Sequence, residues 1–237
     1  MKIIPAILEE SYNVIEDCVD AVPEARSMHI DVCDGVYVPH KTWPYTTKGQ
    51  DITRDFHIDQ LLSEDIGLPR WDDVEYQFDL MIQDAHEYVE IYARLGASLL
   101  IFHPTAFGNH SGLEKAIGDT NGLLTDVGIA STYDEWVAQR TYIEELLGSG
   151  TVKVFQCMSI ERIGEQGSVF DDRWLSHISE LKEKYPNITI QMDGGIHLEN
   201  IEDVAEVGVD AVIVGSAIYG SGNASDNLLD LKNVIGQ

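Results

Sequence analysis

Three segments of this chain end an apolar run by presenting a carboxylate: Met28-His29-Ile30-Asp31-Val32-Cys33-Asp34-Gly35, Phe78-Asp79-Leu80-Met81-Ile82 and Gln191-Met192-Asp193-Gly194-Gly195-Ile196. A carboxylate is costly to bury unless it is paired, hydrogen-bonded or bound to a metal. Three of them at the ends of separate strands point to one shared site. Asp31 and Asp193 could then stand on opposite sides of one substrate carbon, as a base and an acid that exchange roles. His29 and Asp31 are two apart, so on a strand both side chains point to the same face. Such a pair either ligates a metal or satisfies itself inside a core. Asp79 and Asp193 favour the metal, giving four candidate ligands (His29, Asp31, Asp79 and Asp193) for one divalent cation.

Glycines close two further segments, Asp193-Gly194-Gly195 and Gly215-Ser216. They are read either as simple turns or as a cradle in which backbone N–H groups approach a phosphate. His103, ahead of Pro104, belongs either to the site or to a hydrogen bond at a strand end. Met81 and Met158 are read as core or pocket lining.

Positioning these groups requires strand ends that converge, and the chain has the segments to supply them. Short apolar segments occur at 2–8, 27–34, 74–82, 98–103, 126–130, 152–159, 188–193 and 211–215, rich in Val, Ile, Leu and aromatics as doubly buried strands are. Helical patterns lie between them. One opens at Asp84-Ala85-His86-Glu87 and stops at Gly96, one follows Ser131-Thr132 and ends near Gly148, and two cover 199–207 and 224–234. Strand–helix alternation over 237 residues implies an α/β fold, a (β/α)8 TIM barrel in a single domain spanning 1–237. A long insertion at about 40–73, after the second strand, is expected to overhang the active face as a lid or to make a subunit contact.

The formal charge of −26, from 41 acidic and 15 basic residues, argues against a nucleic-acid partner and describes a solvated acidic surface. Any phosphate would need a local cradle, since the long-range field repels it. No apolar run approaches the ~18 residues of a membrane span, and the N-terminal segment turns acidic too soon for a signal peptide. Cys18, Cys33 and Cys157 form neither a disulfide framework nor a zinc spacing. A reduced, cytoplasmic protein is expected.

At these segments the chain resembles the ribulose-phosphate 3-epimerase family of the ribulose-phosphate-binding barrels. The resemblance rests on His29-Ile30-Asp31-Val32-Cys33-Asp34-Gly35-Val36-Tyr37-Val38-Pro39, Asp79-Leu80-Met81-Ile82, the run 154–160, Met192-Asp193-Gly194-Gly195-Ile196 and Val214-Gly215-Ser216-Ala217-Ile218. It implies inversion at C3 of a ketose phosphate, ribulose 5-phosphate or a related sugar, through a 2,3-enediolate. Asp31 and Asp193 are then the catalytic acid/base pair. One divalent metal ion (Zn, Mn, Fe or Mg) is implied on His29, Asp31 and Asp193, with Asp79 where the family has a second histidine. Gly194, Gly195, Gly215 and Ser216 match phosphate-binding positions, and Met81 and Met158 match methionines of the pocket wall, where Cys33 replaces a third.

The chain departs from the family at Pro5-Ala6, where Pro-Ser is expected, and at Glu161-Arg162-Ile163-Gly164-Glu165-Gln166-Gly167, which stands in place of a glycine-rich phosphate loop. Asp79 adds negative charge and shifts the site towards harder ions such as Mn²⁺ or Mg²⁺. The expected partner is a small phosphorylated sugar, with no nucleic acid and no membrane, in a homo-oligomer. An aldolase or decarboxylase of the same superfamily, or a non-catalytic sugar-phosphate-binding paralogue, is the alternative.

Overall fold

The computed structural model describes residues 1–165 and 167–237; Gln166, in the loop expected to differ after the sixth strand, lies outside the described residues. Eight strands form the core: β1 (Lys2–Ile7), β2 (Ser27–Cys33), β3 (Glu75–Met81), β4 (Ala97–Phe102), β5 (Asp126–Thr132), β6 (Val154–Met158), β7 (Thr189–Asp193) and β8 (Ala211–Val214). Each pairs in parallel with the next, and β8 pairs with β1, closing the barrel. The expected (β/α)8 fold is therefore the observed one. Strand limits agree with the sequence pattern to within one or two residues because both faces of these strands are buried, and burial is what the pattern encodes.

Helices fill the crossovers: α1 (Tyr12–Asp20), α2 (Phe56–Leu62), α3 (Val89–Arg94), α4 (His110–Gly122), α5 (Tyr133–Gly148), α6 (Ile178–Lys184), α7 (Ile201–Glu206), α8 (Ser216–Tyr219) and α9 (Ala224–Val234). Thr132 is at once the last residue of β5 and the N-cap of α5, in a reciprocal capping box with Glu135. The helix expected from Asp84 is broken. Asp84 is held in a left-handed conformation by bonds to Ala106 and Gly108, a short 3-10 turn covers Ala85–Glu87, and α3 starts only at Val89. Gly96, at φ +99°, stops that helix as the sequence implies.

The main apolar core lies between the strands and the helical ring, and includes Ile30, Phe78, Leu100, Phe102, Ile129, Phe155, Trp174 and Val212. Smaller clusters line the barrel interior, among them Ile4, Ala6, Ala211 and Ile213. None of the helices described is long and apolar enough to cross a membrane.

The stretch after β2 folds back on the barrel's upper end. Thr42 Oγ1 donates to the Asp31 carbonyl at 2.6 Å and accepts from Cys33 N–H at 2.8 Å, while Trp43 N–H donates to the Glu9 carbonyl. Trp43, Tyr45, Ile52, Ile58, Leu61 and Leu68 are all buried in the main core. These anchors draw residues 43–68 down the outside of the barrel.

Candidate active site

Barrel strands alternate inward and outward side chains, so the parity of a residue and its register set the layer it occupies. Cα register pairs His29 with Gln77 and Asp31 with Asp79 across β2 and β3. Gln156 pairs with Gln191, and Met158 with Asp193, across β6 and β7. Asp31, Asp79 and Asp193 thus stand one layer above Gln77, Gln156 and Gln191. His29, Asp79 and His103 are fully buried, Asp193 is nearly so, and the Asp31 side chain is 13% exposed.

The carboxylates converge around His29. Its Nε2 lies 3.4 Å from Asp31 Oδ1 and 4.0 Å from Asp79 Oδ2. Asp79 accepts from His103 Nε2 at 2.7 Å on one oxygen and from Gln156 Nε2 at 2.9 Å on the other. Gln156 Nε2 also reaches Asp193 Oδ2 at 3.2 Å. One ligand atom from each of His29, Asp31, Asp79 and Asp193 lies within 4.8 Å of all the others.

So many acids in so little volume perturb each other. Burial raises the Asp31 pKa, opposed mainly by the contact with His29, and burial together with the Asp31 charge raises that of Asp193 well above the usual carboxylate range. Burial alone would lower the His29 pKa, but the Asp31 contact and the Asp31, Asp193 and Asp79 charges override it and raise it to about 9. His103 is also raised: Asp79 outweighs its burial. The donor set fits a divalent cation. His29 Nε2 is buried without a hydrogen-bond partner, aimed at three carboxylates whose mutual repulsion a cation would cancel.

A cleft opens above this cluster. Asp31, Met81, Met158, Asp193, Gly194, Gly195, Gly215 and Ser216 all line it. Cys33 and His103 do not. Cys33 packs behind Met81, its Sγ 4.0 Å from the Met81 sulfur, and His103 is spent on Asp79. Residues 40–73 contribute nothing to the lining described, so the expected overhang is replaced by Ile160, Gly164, Glu165 and Gly167 from the loop after β6. The apolar anchors of the 43–68 stretch explain the difference, since they pull it off the active face.

The model of the ribulose-phosphate 3 epimerase family matches residues 2–219. The chain belongs to the ribulose-phosphate 3-epimerase family. Curated relatives bearing the name ribulose-phosphate 3-epimerase include one from Mycobacterium leprae, 28% identical over 99% of this chain and 95% of its own length. Another, from Helicobacter pylori, is 26% identical over 99% and 98%, and a third, from Schizosaccharomyces pombe, is 24% identical over 99% and 93%. Family membership makes the protein an isomerase of the epimerase class acting on carbohydrates. Among solved structures, 3-hexulose-6-phosphate synthase from Salmonella typhimurium superposes with a TM-score of 0.70 at 16% identity, over 99% of this chain and 98% of that one. Orotidine 5'-monophosphate decarboxylase from Sulfolobus solfataricus gives 0.64 at 19% identity, over 99% and 97%. At such identities these two speak for the barrel alone.

Against that family background, the sequence pattern passed over the glutamine layer. Gln77, Gln156 and Gln191 are each two residues before a site residue, inside otherwise apolar strands. A polar amide at the same inward parity on three strands is the signal that would have found them.

Proposed function

We propose that the protein inverts C3 of a ketose phosphate, with Asp31 and Asp193 as the acid/base pair. The observation that carries this reading is that the two carboxylates reach one cleft from β2 and β7, with their ligand-capable oxygens within 4.8 Å of each other. The carboxylate that is ionised takes the C3 proton of the sugar, and the other, protonated, returns one to the opposite face. Burial, which favours the neutral form of each, suits the pair to sharing one proton in this way. His29, Asp31, Asp79 and Asp193 would hold one divalent cation, which when bound supplies Lewis-acid stabilisation to the negative charge of the 2,3-enediolate. Met81, Met158 and Ile160 keep water from the reacting carbons, and Gly194, Gly195 and Ser216 offer the phosphate end a cleft wall of backbone and hydroxyl groups.

The Gly194–Gly195 turn depends on glycine. Both residues have positive φ, +101° and +67°, and a Cβ on Gly195 would stand 2.7 Å from the Phe170 Cα.

Incubation with ribulose 5-phosphate in D₂O tests the reading. Solvent deuterium is expected at C3, with formation of the C3 epimer and an intact carbon skeleton. Skeleton cleavage would assign the protein to the lyases of this fold, and binding without exchange would make it a sugar-phosphate-binding paralogue.

A further inference from the structure

We infer that Gln156, Gln191 and Gln77 form a positioning chain that fixes which ring nitrogen of His29 faces the carboxylate cluster. The inference rests on the reading that His29, Asp31, Asp79 and Asp193 hold a cation.

The chain has a direction, and the carboxylates set it. With a cation bound the carboxylates are ionised and only accept hydrogen bonds, so the Gln156 group between Asp79 Oδ2 and Asp193 Oδ2 must be its NH₂. Gln156 therefore turns Oε1 towards Gln191, 2.6 Å away, and Gln191 must answer with its own NH₂. That same NH₂ lies 3.4 Å from Gln77 Oε1, which in turn lies 3.3 Å from His29 Nδ1. An acceptor facing Nδ1 makes Nδ1 the donor. His29 Nε2 is then the nitrogen left to give a lone pair to a cation, and it is the one that sits among the carboxylates without a hydrogen-bond partner. Two of the acids, Asp79 and Asp193, thus dictate the ring orientation of a histidine on another strand through three neutral amides. Gln156 and Gln191 are fully buried, so water cannot readily substitute for a lost link.

None of these glutamines is among the residues that line the cleft. They act through His29, so their removal should be read in metal affinity. Mn²⁺ titration followed by electron paramagnetic resonance would compare the wild type with Gln77→Met, Gln77→Glu and Gln191→Met. Gln77→Met and Gln191→Met should weaken Mn²⁺ binding by roughly 10–100-fold, the usual effect of removing a partner of a ligating histidine. Gln77→Glu keeps an oxygen opposite Nδ1 and should stay close to the wild type. In the Zn²⁺-loaded wild type, ¹⁵N spectroscopy should show the His29 proton on Nδ1, a readout independent of any variant's folding. Full Mn²⁺ affinity in Gln77→Met, an equal loss in Gln77→Glu, or a proton on Nε2 would overturn the inference. A wild type that binds neither Mn²⁺ nor Zn²⁺ in stoichiometric amount would overturn the cation-site reading with it.

Discussion

At the carboxylate end of the cleft every functional side chain sits on or directly after a strand, buried and held by neighbours. At the glycine end, the lining comes from turns after β6, β7 and β8, where backbone and small residues do the work. Asp79 shows the first regime, with both its oxygens bonded inside the barrel at 2.7 and 2.9 Å. Glu165 shows the second: it is an exposed acid on a loop that lines the cleft. The difference separates two tasks. Proton transfer and cation binding need positions fixed to a fraction of an ångström, which only packed strands supply, whereas the choice of substrate end can be varied on loops without disturbing the core.

The largest effects are expected at the carboxylate end. Asp193→Asn should leave the fold intact and lower kcat by roughly 10²–10⁴-fold, because the amide cannot take up a proton. Turnover near that of the wild type, measured by C3 deuterium exchange, would remove Asp193 from the acid/base role. Asp79→Asn should act differently. It removes a charge from the proposed cation site, so Mn²⁺ affinity measured by titration should fall by more than about tenfold, and saturating Mn²⁺ should restore much of the activity. Activity that stays lost at saturation would place Asp79 in the chemistry itself.

A pH experiment sharpens the same end. The metal-free fold binds a proton on His29 more tightly than the unfolded chain does, since the surrounding acids raise its pKa from 6.5 to about 9. That contribution to stability is complete below pH 6.5 and disappears as pH rises through about 9. Asp31 and Asp193, also raised, contribute with the same sign, because their neutral forms are the ones the fold favours. Thermal unfolding with a chelator present should therefore show Tm falling from pH 6.5 to 9. Added Mn²⁺ should flatten that fall by replacing the proton with a cation. A Tm that rises over this range without metal would show that the buried cluster does not hold these protons more tightly than the unfolded chain.

The smallest effect is expected at the glycine end. Glu165→Gln removes one exposed negative charge from the lining of the cleft. KM should fall by a few-fold at low ionic strength, with kcat unchanged, and the gain should shrink as salt is added. A drop in kcat, or a gain that ignores salt, would show that Glu165 belongs with the packed machinery after all.

Much of the carboxylate end was legible in the chain itself. His29 and Asp31 share a face by the two-residue period of a strand, and the apolar runs around Asp79 and Asp193 announce buried strands, so the convergence of all four follows from the barrel. His103 was harder. Its position after β4 was clear, but only the register of β3 against β4 brings Asp79 within 2.7 Å and turns a candidate pocket residue into a buried partner. Cys33 has the parity of Asp31, yet Met81 stands between it and the cleft, a matter of packing that spacing cannot express.

What the sequence determined, then, was periodicity: which residues are buried, which strand face each occupies, and that eight such strands alternate with helices. These are local consequences of burying apolar side chains at a fixed backbone repeat. What only the tertiary structure decided were relations between strands far apart in the chain. The direction of the Gln156–Gln191–Gln77 chain depends on contacts spanning 35 to 114 residues, and the path of residues 43–68 depends on where their aromatic and aliphatic anchors find a cavity outside the barrel. Hydrogen-bond direction and packing space are properties of partners. They come into being only when the sheet closes and each side chain meets the particular neighbours that register puts beside it.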